Sequence, residues 1–246
     1  RRALAIMNCY MGALIGAGFA SGQELFQFFV RYGYQGLKGV LVAGVLFAGL
    51  GAYVLAYKYK TGLSSYGELL TNLLGKTLGR FADIWISSML FAGLVIMLAG
   101  CEATLQQQFN IAGIPALIIS SALILFTMAQ GEKGVLQLNS VLIPLLVVIT
   151  VLVAVLAMGN SSGKHLLPTE NRFAFGSWFL AAILYVSYNM ILGTVILSSL
   201  EVSNLKNLWG GFWGGLGLGL LAAAIVVGLL ANYTQIAGQS VPMLFL

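Results

Sequence analysis

Long apolar segments separated by short polar connectors dominate the chain. An α-helix needs about 20 apolar residues to cross the hydrocarbon core of a bilayer, and the pattern predicts seven such helices. Their expected bounds are about 3–30, 39–56, 81–105, 111–129, 135–158, 173–200 and 208–230. An eighth apolar segment starts near Gly238 and stops at Leu246. It is too short to cross, so we expect either a chain that ends inside its next helix or a short re-entrant segment.

The composition agrees with a membrane-embedded, all-α protein. Hydrophobic residues make up 59% of the 246 residues and charged residues only 8%, whereas soluble domains carry about 25% charged residues. In lipid only helices and closed barrels satisfy every backbone polar group, and the apolar segments are longer than barrel strands of about 10 residues. The net charge of +5 then reflects the excess of Lys and Arg in cytoplasmic loops. No basic cluster suggests a nucleic-acid partner.

The distribution of basic residues predicts the orientation, because Lys and Arg are retained on the cytoplasmic side. An internal N-terminus places eight basic residues inside: Arg1, Arg2, Lys58, Lys60, Lys76, Arg80, Lys133 and Lys206. Four remain outside: Arg31, Lys38, Lys164 and Arg172. We therefore expect a multi-pass protein of the plasma membrane with a cytoplasmic N-terminus.

Two connectors are long enough to have structure of their own. Residues 58–80 predict a short amphipathic segment on the inner surface, and residues 159–172 predict a longer outer loop. The single histidine, His165, lies in that loop without Cys, His or carboxylate neighbours at ligand spacing, so no metal or other bound cofactor is predicted.

The first apolar segment is unlike a plain anchor. It reads GALIGAGFASGQELFQFF over residues 12–29, with four glycines together with Ser21, Gln23 and Glu24. Close helix packing through small residues explains the glycines. It does not explain a carboxylate at membrane depth, which costs about 2.5–3.5 kcal/mol on insertion scales. We therefore favour a discontinuous helix, unwound around residues 16–22, whose backbone polar groups line a cavity.

The sixth segment is polar at its centre. Tyr185, Ser187, Tyr188, Asn189 and Gly193 lie where a lipid-facing helix would be smooth. Interhelical hydrogen bonds and a second unwound helix explain this equally well.

The two unusual segments are five spans apart. Two halves of five helices each have opposite topology, because five is an odd number of spans. Interrupted helices at matching positions of two inverted halves indicate a transporter's solute site at the membrane midplane. This predicts a first repeat over residues 1–158 and the start of an inverted second repeat over 173–246.

Other polar residues inside the spans have simpler explanations. Asp83 lies at a helix start, which favours a carboxylate, and Asn139 is expected to form a packing hydrogen bond. Glu102, near the outer end of the third span, is either a gate or proton site or an interfacial residue. The seventh span has glycines at GxxxG spacing, which predicts close helix contact: Gly210, Gly211, Gly214, Gly215 and Gly219.

Two sequence segments resemble a known family. GAGFASGQELFQ at 16–27 is similar to the first-helix signature of the YkvI-type bacterial membrane proteins, and SYNMILG at 187–193 extends the resemblance to the sixth span. That family is grouped with the amino acid, polyamine and organocation transporters. The resemblance implies a leucine-transporter-like inverted-repeat fold with discontinuous helices 1 and 6, whose helices eight to ten are missing here.

The resemblance also implies a site for a small polar solute, with membrane lipid as the other partner and an oligomeric state that stays open. The expected substrate-binding residues are Gly16, Ala17, Gly18, Phe19, Ala20, Ser21, Gly22, Gln23, Ser187, Tyr188, Asn189 and Gly193. The expected ion-coupling residues are Glu24 and Glu102, acting on a transported sodium ion or proton. Some relatives use a lysine of the fifth helix, and residues 135–158 contain none.

The function predicted is therefore secondary active transport of an amino acid or related organocation. A channel and a non-transporting receptor or scaffold remain alternatives. An enzyme is not expected, because one histidine cannot form an HExxH site, the GLSSYG segment at 62–67 has no nearby base, and no Walker-type phosphate loop occurs.

Overall fold

The computed structural model describes residues 2–16, 19, 21–63, 65–111, 113–159 and 176–233, and all regular structure in these ranges is helical. Within these ranges eight α-helices have defined bounds: α1 Arg2–Leu14, α2 Gln23–Phe28, α3 Tyr34–Thr61, α4 Tyr66–Phe109, α5 Ile114–Ala129, α6 Gly131–Gly159, α7 Trp178–Ser199 and α8 Leu208–Ala231. Short 3₁₀ helices occupy Val30–Tyr32 and Leu205–Asn207. Among the described helices, five are long and apolar enough to cross a membrane, so the chain is a membrane protein with several apolar helices.

The first apolar segment is interrupted after Leu14. Helix α1 ends there, Ile15 and Gly16 have no helical assignment, Phe19 is helical, and α2 begins at Gln23. Gly22 precedes α2 with φ 75° and ψ −1°, the left-handed region that glycine adopts without steric cost. The described part of this segment is thus not one continuous helix.

Helix α8 forms the centre of the packing, and its glycines confirm the predicted close contact. One glycine face lies on α3: a Cβ added to Gly219 would stand 2.4 Å from the Gly44 Cα, and one added to Gly215 would stand 2.3 Å from the Ala48 nitrogen. The opposite face lies on α1, where a Cβ at Gly210 would meet the Ala3 carbonyl oxygen at 2.6 Å. Small residues on two faces therefore allow α8 to lie between α1 and α3.

Helix α4 is a helical hairpin rather than a single rod. Gly75 has φ 79° and ψ 169° inside it, a conformation open essentially to glycine alone. Beyond this bend the chain folds back, because a Cβ at Gly79 would lie 2.6 Å from the Thr71 Cα, and the Tyr66 and Ser87 hydroxyls lie 2.7 Å apart. The predicted amphipathic connector is thus the first arm of this hairpin, whose position relative to a bilayer stays a prediction.

The sixth span corrects one prediction. Helix α7 runs from Trp178 to Ser199 without an interruption at residues 187–193. Its polar side chains bond to their own helix: the Ser187 hydroxyl donates to the Ile183 carbonyl at 2.7 Å, and the Asn189 amide donates to the Tyr185 carbonyl at 3.0 Å. Because these bonds satisfy the polar groups locally, the backbone does not need to unwind.

Polar contacts gather the ends of four helices at one end of the molecule. The Arg2 guanidinium lies 2.5 Å from the Glu132 carboxylate and 3.5 Å from that of Glu201, and the Lys58 ammonium donates to the Ser198 carbonyl. The starts of α1 and α6 therefore meet the ends of α3 and α7, which is the alternation expected of successive spans. Which side of the membrane this end faces stays a prediction.

Several predictions fall on residues outside the described ranges. These are the loop from residue 160 to 172 with His165, the first residues of the span expected at 173, the apolar segment after Gly238, and three expected site residues, Ala17, Gly18 and Ala20.

Candidate functional site

Helix α7 passes the interruption of the first span and contacts both sides of it. On one side the Tyr188 hydroxyl donates to the Glu24 carboxylate of α2 at 2.5 Å. On the other, a Cβ added to Gly193 would lie 3.4 Å from Leu14, the last residue of α1. Five residues of helix extend about 7.5 Å, so the segment from Tyr188 to Gly193 spans the gap between α1 and α2. Residues on both sides of the interruption thus contact the segment 187–193 that the sequence singled out.

Tyr10 fixes the α1 side of this arrangement. Its ring is fully buried, and Cβ atoms added to three glycines would lie 2.8–2.9 Å from it. These glycines come from three helices: Gly51, Gly193 and Gly214. The Tyr10 hydroxyl lies 3.1 Å from the Phe47 carbonyl and 3.0 Å from the Met190 sulfur. Glycine at 193 therefore makes room for an aromatic ring rather than for an unwound backbone.

An aromatic cluster packs around the α2 side. The Tyr185 ring lies 5.1 Å from Phe29, 5.3 Å from Phe28 and 5.9 Å from Phe47, measured between centroids. The Tyr188 ring lies 5.7 Å from both Phe28 and Tyr185. Such pairs add about 0.5–1.5 kcal/mol each beyond area burial. The cluster holds Tyr188 in place, so the hydroxyl that meets Glu24 is carried on a rigid ring.

The remaining expected site residues have different environments. Phe19 is fully buried, Asn189 is 8% exposed, and Gln23 is exposed. The Gln23 backbone N–H donates to the Ser21 hydroxyl at 3.4 Å. A Cβ added to Gly16 would meet no atom of the described residues within 4 Å.

Glu102 does not join this group through any contact among the described residues. Its carboxylate accepts a hydrogen bond from the Gly113 backbone N–H at 2.9 Å, immediately before α5 begins at Ile114. A carboxylate at a helix start is stabilised by the helix dipole. This contact explains Glu102 structurally, and its role in ion coupling stays a prediction.

Sequence reasoning missed two features of the site. Nothing in the sequence marks Phe47 as a neighbour of Tyr185, because 138 positions separate them. Tyr10 carried no signal either, although the glycines around it were visible as isolated small residues in three spans. By contrast, three phenylalanines follow Glu24 closely in the sequence: Phe26, Phe28 and Phe29. They could have indicated an aromatic cluster beside Glu24.

The electrostatics of the interruption favour a positive group. The last carbonyl groups of a helix lack intrahelical partners and carry the negative end of its dipole. Helix α1 ends at Leu14, where the Met11 and Leu14 carbonyls accept from the Ile15 and Gly16 N–H groups at 2.9 and 3.1 Å, and the Glu24 carboxylate lies in the first turn of α2. The negative end of a helix and a carboxylate together suit a metal cation or an ammonium group.

Comparison with known proteins supports a membrane protein. The chain is 30% identical over 203 residues to an uncharacterized membrane protein of Bacillus subtilis, YkvI, a match that covers 80% of this chain and 57% of that protein. It is 31% identical over 197 residues to an uncharacterized protein of the same organism, YyaD, covering 78% of this chain and 55% of that protein. The chain thus spans less than three-fifths of the length of these relatives. No family model and no solved structure matches it.

Proposed function

We propose that this chain carries the solute site of a secondary transporter, with an amino acid or related organocation as the solute. The observation that supports this most directly is the interruption between Leu14 and Gln23, which α7 faces through Tyr188 and Gly193. Irregular backbone at membrane depth is tolerated where it is buried in protein or lines a cavity, and a broken helix at midplane is a recurrent feature of transporters.

The solute class follows from the charge at the interruption. The carbonyl end of α1 and the Glu24 carboxylate both attract a positive group, as an α-amino group or a polyamine would supply. The Phe28, Tyr185 and Tyr188 rings supply the apolar and cation-accepting surface beside it.

Glu24 is the proposed coupling residue. Its support is that Glu24 lies in the first turn of α2, directly after the interruption, and that its partner Tyr188 belongs to the facing helix. Binding of a sodium ion or proton at Glu24 would change the contact between α2 and α7. Alternating access proceeds by movement of one helix bundle against another around the site, and this contact lies at the proposed site.

Uptake into proteoliposomes tests the proposal. The purified protein is reconstituted, and accumulation of labelled amino acids and a polyamine is measured with an imposed sodium gradient, a proton gradient or neither. We expect accumulation of at least one solute with one of the two gradients, and we expect Glu24→Gln to abolish it.

Glu68→Gln is the matched control, because Glu68 is an exposed carboxylate in the first arm of the α4 hairpin. It should accumulate solute like the unchanged protein. Counterflow of labelled against unlabelled solute separates a carrier from a channel, since only a carrier shows it. Flux without counterflow, or full accumulation by Glu24→Gln, would contradict the proposal.

A further inference from the structure

The backbone N–H groups on both sides of the interruption already have acceptors within the same segment. Four such bonds are defined: Ile15 to the Met11 carbonyl at 2.9 Å, Gly16 to the Leu14 carbonyl at 3.1 Å, Gly22 to the Phe19 carbonyl at 3.0 Å and Gln23 to the Ser21 hydroxyl at 3.4 Å. Proteins bind a carboxylate through N–H groups or through a cationic side chain. A solute carboxylate would therefore have to displace one of these bonds for each of these N–H groups that it used.

Glu24 places a negative charge at the start of α2. The residue lies in the first turn of this helix, two positions after Gly22. The positive end of the helix dipole is thus accompanied by a carboxylate of the chain itself. Two carboxylates within a few ångströms of each other repel strongly where water is scarce. The start of α2 therefore disfavours a solute carboxylate.

Arg31 is the basic residue nearest to Glu24 in the sequence, and it lies beside a different face of α2. Its guanidinium is 5.9 Å from the centroid of the Phe26 ring. Phe26 is two residues from both Glu24 and Phe28, which corresponds to about 200° around a helix. Glu24 and Phe28 are four residues apart and share the face that meets Tyr188. Arg31 therefore does not balance a solute carboxylate on that face.

Acceptors for an ammonium group remain at the interruption. The Tyr188 hydroxyl occupies one of the about four lone-pair positions of the Glu24 carboxylate. The Met11 and Leu14 carbonyls at the end of α1 each accept one N–H group, although a carbonyl oxygen has two lone pairs. They also lie at the negative end of the α1 dipole. Negative charge and remaining lone pairs together suit an ammonium donor.

Aromatic rings beside Glu24 supply a second means of recognising a cation. The Phe28 and Tyr188 ring centroids are 5.7 Å apart. Within the described structure Tyr188 is 39% exposed, so a ligand can reach part of its ring. The face of an aromatic ring attracts an ammonium group and packs equally well against an alkyl or aryl chain.

We propose, on the basis of the function proposed above, that the solute of this site is a cationic amine without a carboxylate, and that α-amino acids are excluded. The ammonium group donates to Glu24 and to the carbonyls at the end of α1, and the alkyl or aryl part packs on Phe28 and Tyr188. In an α-amino acid the same carbon carries the ammonium and the carboxylate. An amino acid therefore cannot place its ammonium group at Glu24 without bringing its own negative charge there.

Calorimetric titration of the purified protein tests the proposal. Leucine, phenylalanine and lysine are each compared with the corresponding amide and with the amine that lacks the carboxyl group, at about pH 6.5, where the ammonium groups are protonated. In at least one of the three series, we expect the amine and the amide to bind at a concentration at least roughly ten-fold lower than the parent acid. The amide has the size of the acid without its negative charge, so it separates charge from steric fit.

Glu24→Gln removes the negative charge and keeps the size of the side chain. It should weaken binding of the amine and the amide by about ten-fold and bring the parent acid to a similar affinity. Glu68→Gln changes an exposed carboxylate of the α4 hairpin, and it should retain the preference for the amine. Protection of the buried Cys9 thiol from a maleimide, in a Cys101→Ser background, shows that each variant is folded.

Three results would overturn the proposal. A parent acid that binds as tightly as its amide would show that the site accepts a carboxylate. Weak binding of acid and amide alike, beside strong binding of the amine, would assign the preference to size. A parent acid that accumulates in proteoliposomes in preference to its amine would contradict the amine assignment and leave the transporter proposal standing. Absence of both binding and accumulation for every compound would contradict the two proposals together.

Discussion

The Tyr188 hydroxyl of α7 donates a hydrogen bond to the Glu24 carboxylate of α2 across 2.5 Å, although 164 positions separate the two residues in the chain. Hydrogen bonds to charged groups contribute about 1.5–3 kcal/mol. This contact is the direct polar link between the interrupted first span and the continuous sixth span among the described residues. Its removal should therefore affect ion coupling more than folding.

Tyr188→Phe tests this link while the aromatic cluster is kept. The phenyl ring still packs on Phe28 and Tyr185, but Glu24 loses the donor that orients its carboxylate. We expect the sodium or proton concentration for half-maximal uptake to rise by about ten-fold, the equivalent of about 1.4 kcal/mol. Tyr59→Phe changes a tyrosine of α3 that is 44% exposed. It should leave the ion concentration for half-maximal uptake unchanged. An identical response of the two variants would show that the hydroxyl has no role in coupling.

Gly215→Ala should destabilise the contact between α3 and α8. The added methyl group would lie 2.3 Å from backbone atoms of Phe47 and Ala48, which cannot rotate away, and overpacking of this kind costs about 1–3 kcal/mol. Thermal unfolding can be followed by maleimide labelling of the buried Cys9 in a Cys101→Ser background. The variant should unfold at a lower temperature than the parent.

Gly49→Ala is the matched control for that experiment. Gly49 lies in the same helix α3, and a Cβ there would meet no atom within 4 Å. Alanine is favoured over glycine inside a helix by about 0.5–1 kcal/mol, so this variant should be as stable as the parent or more so. Equal destabilisation by both substitutions would show that helix propensity, not contact, determines the effect.

The sequence was sufficient to predict the helix interruption because its signal is local. Glycine at 16 and 22 together with Glu24 makes a straight apolar helix unfavourable wherever the segment lies. The GxxxG spacing of α8 likewise predicted close contact. It could not show that one glycine face meets α3 and the other α1, since that depends on how distant segments pack.

The sixth span shows why a polar centre is an ambiguous signal. Ser187 and Asn189 bond to carbonyls one turn earlier in their own helix, and Gly193 makes room for Tyr10. Each of these roles depends on the neighbouring side chains and not on the residue type. The same composition therefore suits a continuous helix as well as an unwound one.

Gly75→Ala should disturb the α4 hairpin. Its backbone angles, φ 79° and ψ 169°, cost a residue with a Cβ about 1–3 kcal/mol. Cysteines placed at positions 67 and 83, where a Cβ at Gly67 would lie 3.7 Å from the Asp83 Cγ, within disulfide reach, report whether the two arms meet. We expect efficient disulfide formation in the parent and a marked loss with Gly75→Ala.

Gly93→Ala provides the control, because Gly93 lies in α4 with open space around its Cα and an ordinary helical backbone. It should leave the cross-link intact. Undiminished cross-linking in Gly75→Ala would mean that the bend tolerates a side chain and that its geometry is not specific to glycine.

Arg2 and Glu132 should show a measurable energetic coupling. Their side chains are 35% and 33% exposed, so screening limits the pair to about 1 kcal/mol. The Glu132 carboxylate also accepts from the Glu201 backbone N–H at 3.2 Å, which adds a partner that an isolated surface pair lacks. In a double-mutant cycle of Arg2→Ala and Glu132→Ala, the combined loss in unfolding temperature should be smaller than the sum of the single losses. Lys133→Ala, an exposed neighbour in α6, should be additive with Arg2→Ala. If Glu132→Ala is equally additive, the ion pair contributes nothing, and packing alone holds the ends of α1, α6 and α7 together.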